Sequence, residues 1–281
     1  MELQHIATRE GRLSSFLKEE MGMSTGLMNR LKWQDKIFVN GLPQHTDYAV
    51  AVGDEICVLL DEPAPDYPAE EGELTVIYED EHILAVDKPA GMLIHPSRAT
   101  MTGTLANRVL FHFQRTNQKC AFHPITRLDR DTFGIVLLAK NAHIHALLSQ
   151  GDLKKTYHAL VFGTPPEKEG IIDAPIARRP LPSLLRYVSP EGKPSVTEYK
   201  VLECFEGYCR VELHPLTGRT HQLRVHCAHM GFPILGDPQY GGEKAKKTVK
   251  QGQLLCAKCL EFTHPITGCP LCLQSKLDAV L

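Results

Sequence analysis

Five apolar residues, Ile135 to Ala139, follow directly on Thr126-Arg127-Leu128-Asp129-Arg130-Asp131-Thr132-Phe133-Gly134. A run so short and apolar reads as a buried strand. Its charged approach must then sit at the strand's lip, where neighbouring guanidinium groups keep a carboxylate ionised and ready for chemistry. A second polar cluster comes much later: Thr217-Gly218-Arg219-Thr220-His221-Gln222-Leu223-Arg224-Val225-His226. It is dense in groups that bind phosphate or carboxylate. The two clusters together make the candidate for one active site.

The chain has 281 residues, 43% hydrophobic and 23% charged, enough for one large and one small folding unit. A formal net charge of −2 gives no overall attraction to nucleic acid, so any phosphate contact must rest on a local groove. No apolar run is long enough to cross a membrane, and Met1-Glu2-Leu3-Gln4-His5 lacks the features of a signal peptide. A cytoplasmic location is expected. In that reducing compartment most of the nine cysteines are expected as free thiols or metal ligands.

Residues 1–60 read as a small unit. Leu13, Phe16, Leu17 and Met21 have helical spacing, and Ser24 is placed to cap a second helix carrying Leu27, Met28 and Leu31. Lys36-Ile37-Phe38-Val39-Asn40-Gly41 reads as a strand ending in an Asn-Gly hairpin turn, with a further strand from Asp54 to Leu60. Residues 61–73 carry three prolines among many acids and read as a stiff linker. From 74 to 281 short strands and helices follow one another. Strands are expected at Leu74–Tyr78, His82–Asp87, Gly134–Ala139, Lys155–Phe162, Ser195–Leu202 and Tyr208–Leu213. Helices are expected at Gly103–Thr116, Asn141–Gln150 and Gln222–Met230. Cys256–Thr263 and Pro270–Leu273 form an expected final hairpin. A doubly wound parallel sheet is the alternative, but its glycine-rich phosphate fingerprint is missing.

Four segments carry a family resemblance. TRLDRDTFG resembles the RLD signature of the RluA-type pseudouridine synthases, and TGRTHQLRVH resembles their arginine motif. Asp87-Lys88-Pro89-Ala90-Gly91-Met92-Leu93-Ile94-His95-Pro96 is similar to their opening strand and turn, and Lys155-Thr156-Tyr157-His158-Ala159-Leu160-Val161 to their tyrosine motif. The four come in the family's order and span roughly residues 75 to 281. Thr126 stands where the family usually has His, and Phe133 where it has Ser. The first sixty residues resemble an S-four-type RNA-binding module, on which Arg30, Lys32 and Lys36 either track phosphates or form a solvated face.

The resemblance implies an α+β fold: a mixed, largely antiparallel sheet with surrounding helices, preceded by the small N-terminal module. It implies isomerisation of uridine in structured RNA, ribosomal or transfer, with no cofactor; a monomer is expected independently of the resemblance. Asp129 is the implied catalytic acid. It would attack the ribose, or stabilise or deprotonate it, while the glycosidic bond breaks, the base turns and carbon five joins the same sugar. Arg224 is its implied partner, with a planar fork able to hold a carboxylate bidentately. Tyr157 is expected to stack on the flipped base, with its hydroxyl near the sugar. Arg127 is expected to support RNA from which the uridine has been extruded. Leu223 offers an apolar wall to the uracil, and Lys88, Arg219, His221 and Gln222 are expected phosphate or sugar contacts. Lys244, Lys246, Lys247 and Lys250 form the densest basic run.

Against each role stands a simpler one: an ion pair for Asp129, a strand-core tyrosine, an ordinary core leucine, solvated surface cations. Cys256, Cys259, Cys269 and Cys272 have a CxxC…CxxC spacing that alone signals zinc. Strand residues three apart point to opposite faces, which spreads these thiols. A turn centred on Pro265-Ile266 would set Cys259 opposite Cys272, and no metal is assigned. Two other functions compete. A glycosidic-bond hydrolase needs two carboxylates flanking the bond, and Asp129 and Asp131 are too close in sequence for that. A non-catalytic RNA-binding protein has no use for the intact Asp129, Tyr157 and Arg224 set.

Overall fold

The computed structural model describes residues 2–60, 65–97, 99–243 and 252–279. The apolar run is the strand Phe133–Ala139, buried throughout from Gly134 onward. It pairs antiparallel with Ile83–Lys88, which itself pairs with Thr75–Glu79. On its other side it meets Leu255–Thr263 in parallel. Beyond that strand lie Leu153–Phe162, Tyr208–Pro215, Val196–Phe205 and Glu169–Asp173, each antiparallel to the last. The fold class is therefore α+β, with one mixed and largely antiparallel sheet.

Alternation decides what covers this sheet. Leu84, Val86, Val136 and Leu138 turn to one face, where they meet Val109 and Phe113 of the helix Leu105–Arg115. Ile83, Ala85, Ile135 and Leu137 turn to the other, against Ile144 and Leu148 of the helix Ala142–Gln150. Both helices start where sequence chemistry places them. Thr104 and Asn107 form a capping box, and Asn141 Oδ1 accepts from Ile144 N at 2.9 Å.

The first sixty residues have an apolar cluster of their own, which includes Leu13, Phe16, Leu17, Met28 and Leu31. Ser24 Oγ caps the helix Thr25–Lys32 by accepting from Leu27 N at 3.2 Å. Asn40 and Gly41 take the positive φ angles, 51° and 78°, that a tight hairpin turn demands. The strand Glu2–Ile6, which pairs with Glu55–Leu59, was not expected. None of its five residues is fully buried, so its sequence shows no apolar alternation. The hairpin Ile176–Arg178 with Arg186–Val188 was also not expected. The Lys244 to Lys250 run lies outside the described residues.

Most of the cysteines are outside disulfides as expected, and one pairing needs correction. Cys204 and Cys209 face each other across one turn and are joined as a disulfide, while seven others are free thiols. In the last hairpin Cys259 stands opposite Gln274, and Cys272 opposite Glu261. The turn is centred one residue later than expected, because His264 Nδ1 accepts from Ile266 N and Thr267 N and Gly268 extends the loop at φ 69°. Cys259 and Cys272 still approach diagonally, with sulfurs 3.5 Å apart. Cys256 instead donates to the Leu277 carbonyl and Cys269 to that of Thr267, so the four thiols do not gather.

At the parallel junction Gly134 faces Ala257 with φ +102°, and a Cβ there would run into the Ala257 backbone. No other residue fits both demands. Gly134→Ala should therefore cost about 2–3 kcal/mol or more of unfolding free energy. Urea titration of the variant checks this, and a midpoint equal to wild type would refute it.

Candidate active site

Asp129 lies in the loop that feeds the strand Phe133–Ala139, and Arg224 lies in the first turn of the helix Gln222–His229. Far apart in sequence, they meet: Arg224 Nη1 donates to Asp129 Oδ2 at 2.7 Å. The acid keeps 28% of its side-chain surface exposed, whereas the arginine keeps 5%. The bidentate contact expected between them is made elsewhere. Arg224 Nε and Nη2 donate to the two oxygens of Asp237 at 2.7 and 2.9 Å, and Nη2 also reaches Gln239 Oε1 at 2.9 Å. Asp237 is fully buried and further accepts from the backbone N–H groups of Gln239 and Tyr240. Burial pushes its carboxyl up, but Arg224 and those N–H groups outweigh this and hold it below the usual aspartate range. Burial also opposes the charge on Arg224, and the two carboxylates overcome it, so the guanidinium holds its proton more tightly than usual. One oxygen of Asp129 is thus fixed by a permanent cation. Oδ1 has no hydrogen-bond partner among the described residues; His221 Nε2 stands 3.7 Å away.

Tyr157 is half-buried on the central strand Leu153–Phe162 and packs between the clusters on either side of it. Burial, with Asp129 second, pushes its hydroxyl well above the ordinary phenol value. It is therefore a neutral donor, not a phenolate base. Leu223 is buried in the same cluster that Tyr157 touches, together with Leu213 and Val211. Arg127 is exposed at the rim, with no ion-pair partner among the described residues. Asp131 pairs with Arg130 instead, at 3.0 Å.

Two expected RNA contacts are spent inside the protein. Lys88 is fully buried, and its Nζ donates to the carbonyls of Pro89, Met92 and Arg130 at 2.8–2.9 Å. Burial pushes it down to about 8, against the pull of Asp131 and Asp129. Gln222 accepts from Thr217 Oγ1 and Arg219 N and donates to Val196 O and Thr197 Oγ1, which uses its whole amide. Arg219 is exposed, though its Nε donates to the Pro194 carbonyl at 3.1 Å. His221 faces Asp129 instead of an open phosphate track. Asp237, Gln239 and Tyr240 were missed; in sequence they are only a glycine-rich loop, Gly236 to Gly242. The signal was an acid two residues after the apolar stretch Phe232 to Leu235.

Residues 82–229 match the family model described as RNA pseudouridylate synthase. The chain belongs to the RNA pseudouridylate synthase family. Its relatives include the RNA pseudouridine synthase YlyB of Bacillus subtilis, 39% identical over 83% of this chain and 79% of that one. The ribosomal large subunit pseudouridine synthase D of Pseudomonas aeruginosa is 38% identical over 75% and 71%. Among solved structures, human RNA pseudouridylate synthase domain containing 1 superposes with a TM-score of 0.62, at 27% identity over 75% and 87%. The RluA-type resemblance and the expected isomerase activity on RNA are thereby shown. Among the described residues no helix is long and apolar enough to cross a membrane.

Asp237→Asn leaves a buried guanidinium under-compensated and should cost about 3 kcal/mol near neutral pH. Because the folded pKa of Asp237 is depressed, its stabilisation is present above about 4 and is lost as pH falls through the folded value. Denaturant titrations should show the gap between wild type and variant closing with acid; a gap constant down to about pH 2 would contradict the assignment.

Proposed function

We propose that the chain isomerises uridines of structured RNA at Asp129, with large-subunit ribosomal RNA as the substrate class. The observation that carries this reading is the carboxylate itself: one oxygen pinned by Arg224, the other without a hydrogen-bond partner among the described residues, on a side chain that keeps 28% of its surface exposed. A flipped uridine would set its anomeric carbon against Oδ1. The Tyr157 ring would lie along the base, with Leu223 behind that ring and the neutral phenol O–H donating to the sugar or the base. The reaction keeps every heavy atom of the uracil in the site. The C1′–N1 bond breaks, the base turns, the C1′–C5 bond forms, and the proton of C5 leaves as N1 gains one. No redox partner or energy source enters that balance.

The substrate class rests on relatives named as ribosomal large subunit pseudouridine synthase D from several bacteria. The first sixty residues fit an accessory RNA-binding role. Trp33 is 75% exposed beside Arg30 and Lys32, a base-stacking surface flanked by phosphate-binding cations. Arg127, exposed at the mouth of the site, is positioned to meet the RNA around the extruded nucleotide. We further infer a monomeric enzyme of the cytoplasm, working without a cofactor.

Asp129→Asn is expected to abolish isomerisation while RNA affinity stays within a few-fold of wild type. Pseudouridine mapping of ribosomal RNA from cells carrying only the variant reads this directly, and retained modification would sink the reading. Arg127→Ala should weaken RNA binding and lower the slope of log affinity against log salt by about one. A binding titration across salt concentrations with an unchanged slope would remove Arg127 from the interface.

A further inference from the structure

His221 has a backbone that only a specific demand explains. It is a non-glycine residue at φ 59°, immediately before the helix Gln222–His229, and its side chain caps no helix N–H. Such left-handed residues are costly and collect where a side chain must be aimed. Here the ring is aimed between two oxygens. Nδ1 lies 2.9 Å from Tyr240 Oη, and Nε2 lies 3.7 Å from Asp129 Oδ1. Tyr240 Oη already accepts from the Arg186 backbone N–H at 2.9 Å. A phenol has one proton to give, and among the described residues no other acceptor takes it.

We propose that His221 is a positioning residue for the reacting oxygen of Asp129, locked by Tyr240 as the tautomer that carries its proton on Nε2. The inference rests on the Asp129 reading above. Arg224 occupies Oδ2, so Oδ1 is the oxygen left for the sugar, and the His221 N–H is the donor that stands beside it. A closure of less than an ångström brings that pair into hydrogen-bond range, as catalytic contacts do when substrate seats. The opposite tautomer would turn a lone pair toward the carboxylate and push it out of line. Burial first, then the cations of Arg224 and Arg186, resist a second proton on the ring against the pull of Asp129 and Asp237, which keeps the imidazole neutral. A neutral ring leaves the charge on Oδ1 unquenched, as a carboxylate that must react at the sugar requires.

The test pairs a spectroscopic readout with a turnover readout. Imidazole 15N shifts of the whole protein report which nitrogen of His221 is protonated. Tritium release reports turnover, using RNA labelled at uridine C5 and purified from cells lacking this protein. The expected result is Nε2–H in wild type and a tautomer mixture in Tyr240→Phe. Turnover in that variant should fall about tenfold with an unchanged dependence on RNA concentration. His221→Gln, whose amide nitrogen reaches the Nε2 position, should stay within a few-fold of wild type. His221→Asn reaches only Nδ1 and should fall as far as Tyr240→Phe. Equal turnover in the Gln and Asn variants, or a wild-type proton on Nδ1, overturns the proposal. If Tyr240→Phe does not fold, the two His221 variants decide alone. Asp129→Asn runs alongside: turnover in it would sink the underlying reading, whereas an inactive Asp129→Asn with indifferent His221 variants sinks only this inference.

Discussion

One guanidinium divided between two carboxylates organises the site. A buried arginine cannot shed its charge, so it needs an anion at hand. Asp237 meets that need inside the protein with both oxygens, at full burial. Asp129 then receives a single N–H and keeps the surplus negative charge at the surface. Had Asp129 taken the whole fork, its charge would have been cancelled and both its oxygens occupied. The buried acid takes up most of the fork and leaves the exposed one a single N–H, while the same cation still fixes where it sits.

The sheet explains why this meeting is possible. The one parallel pair among the described residues, Phe133–Ala139 beside Leu255–Thr263, lies at the centre, next to the strand that carries Tyr157. The loop holding Asp129 therefore enters the sheet beside this pair, where Gly134 lies against the Ala257 backbone with no room for a Cβ. The helix Gln222–His229 packs over the adjoining region through Leu223 and Cys227, whose neighbours include Leu213 and Val211. Loop and helix thus reach one point, each backed by buried apolar contacts and joined to the other through Arg224 and Asp129.

Much of this was legible in the residues. Apolar runs, capping residues and the Asn-Gly turn located most elements, because each rests on local chemistry. Asp129 and Arg224, carried by two separate motifs, meet in the fold, whereas His221, expected as a phosphate or sugar contact, stands beside Asp129. What failed to show was burial of polar groups. Nothing local says that Lys88 will be enclosed, since lysine is seldom fully buried, or that the Gln222 amide will be saturated by its own fold. Asp237 was hidden for the same reason: Gly236-Asp237-Pro238 has the chemistry of an exposed turn, and only the distant Arg224 makes it an interior anion. The last hairpin slipped in register because a side-chain acceptor, the His264 ring, lengthened its turn.

Lys88 has a consequence of its own. An ammonium ringed by three carbonyl oxygens occupies the place that a structural cation takes in many loops. Here that cation is covalently tethered to the chain. Chelators cannot strip it and dilution cannot release it. Alkalinity is the one common reagent that can discharge it, and burial has already brought that point down to about 8.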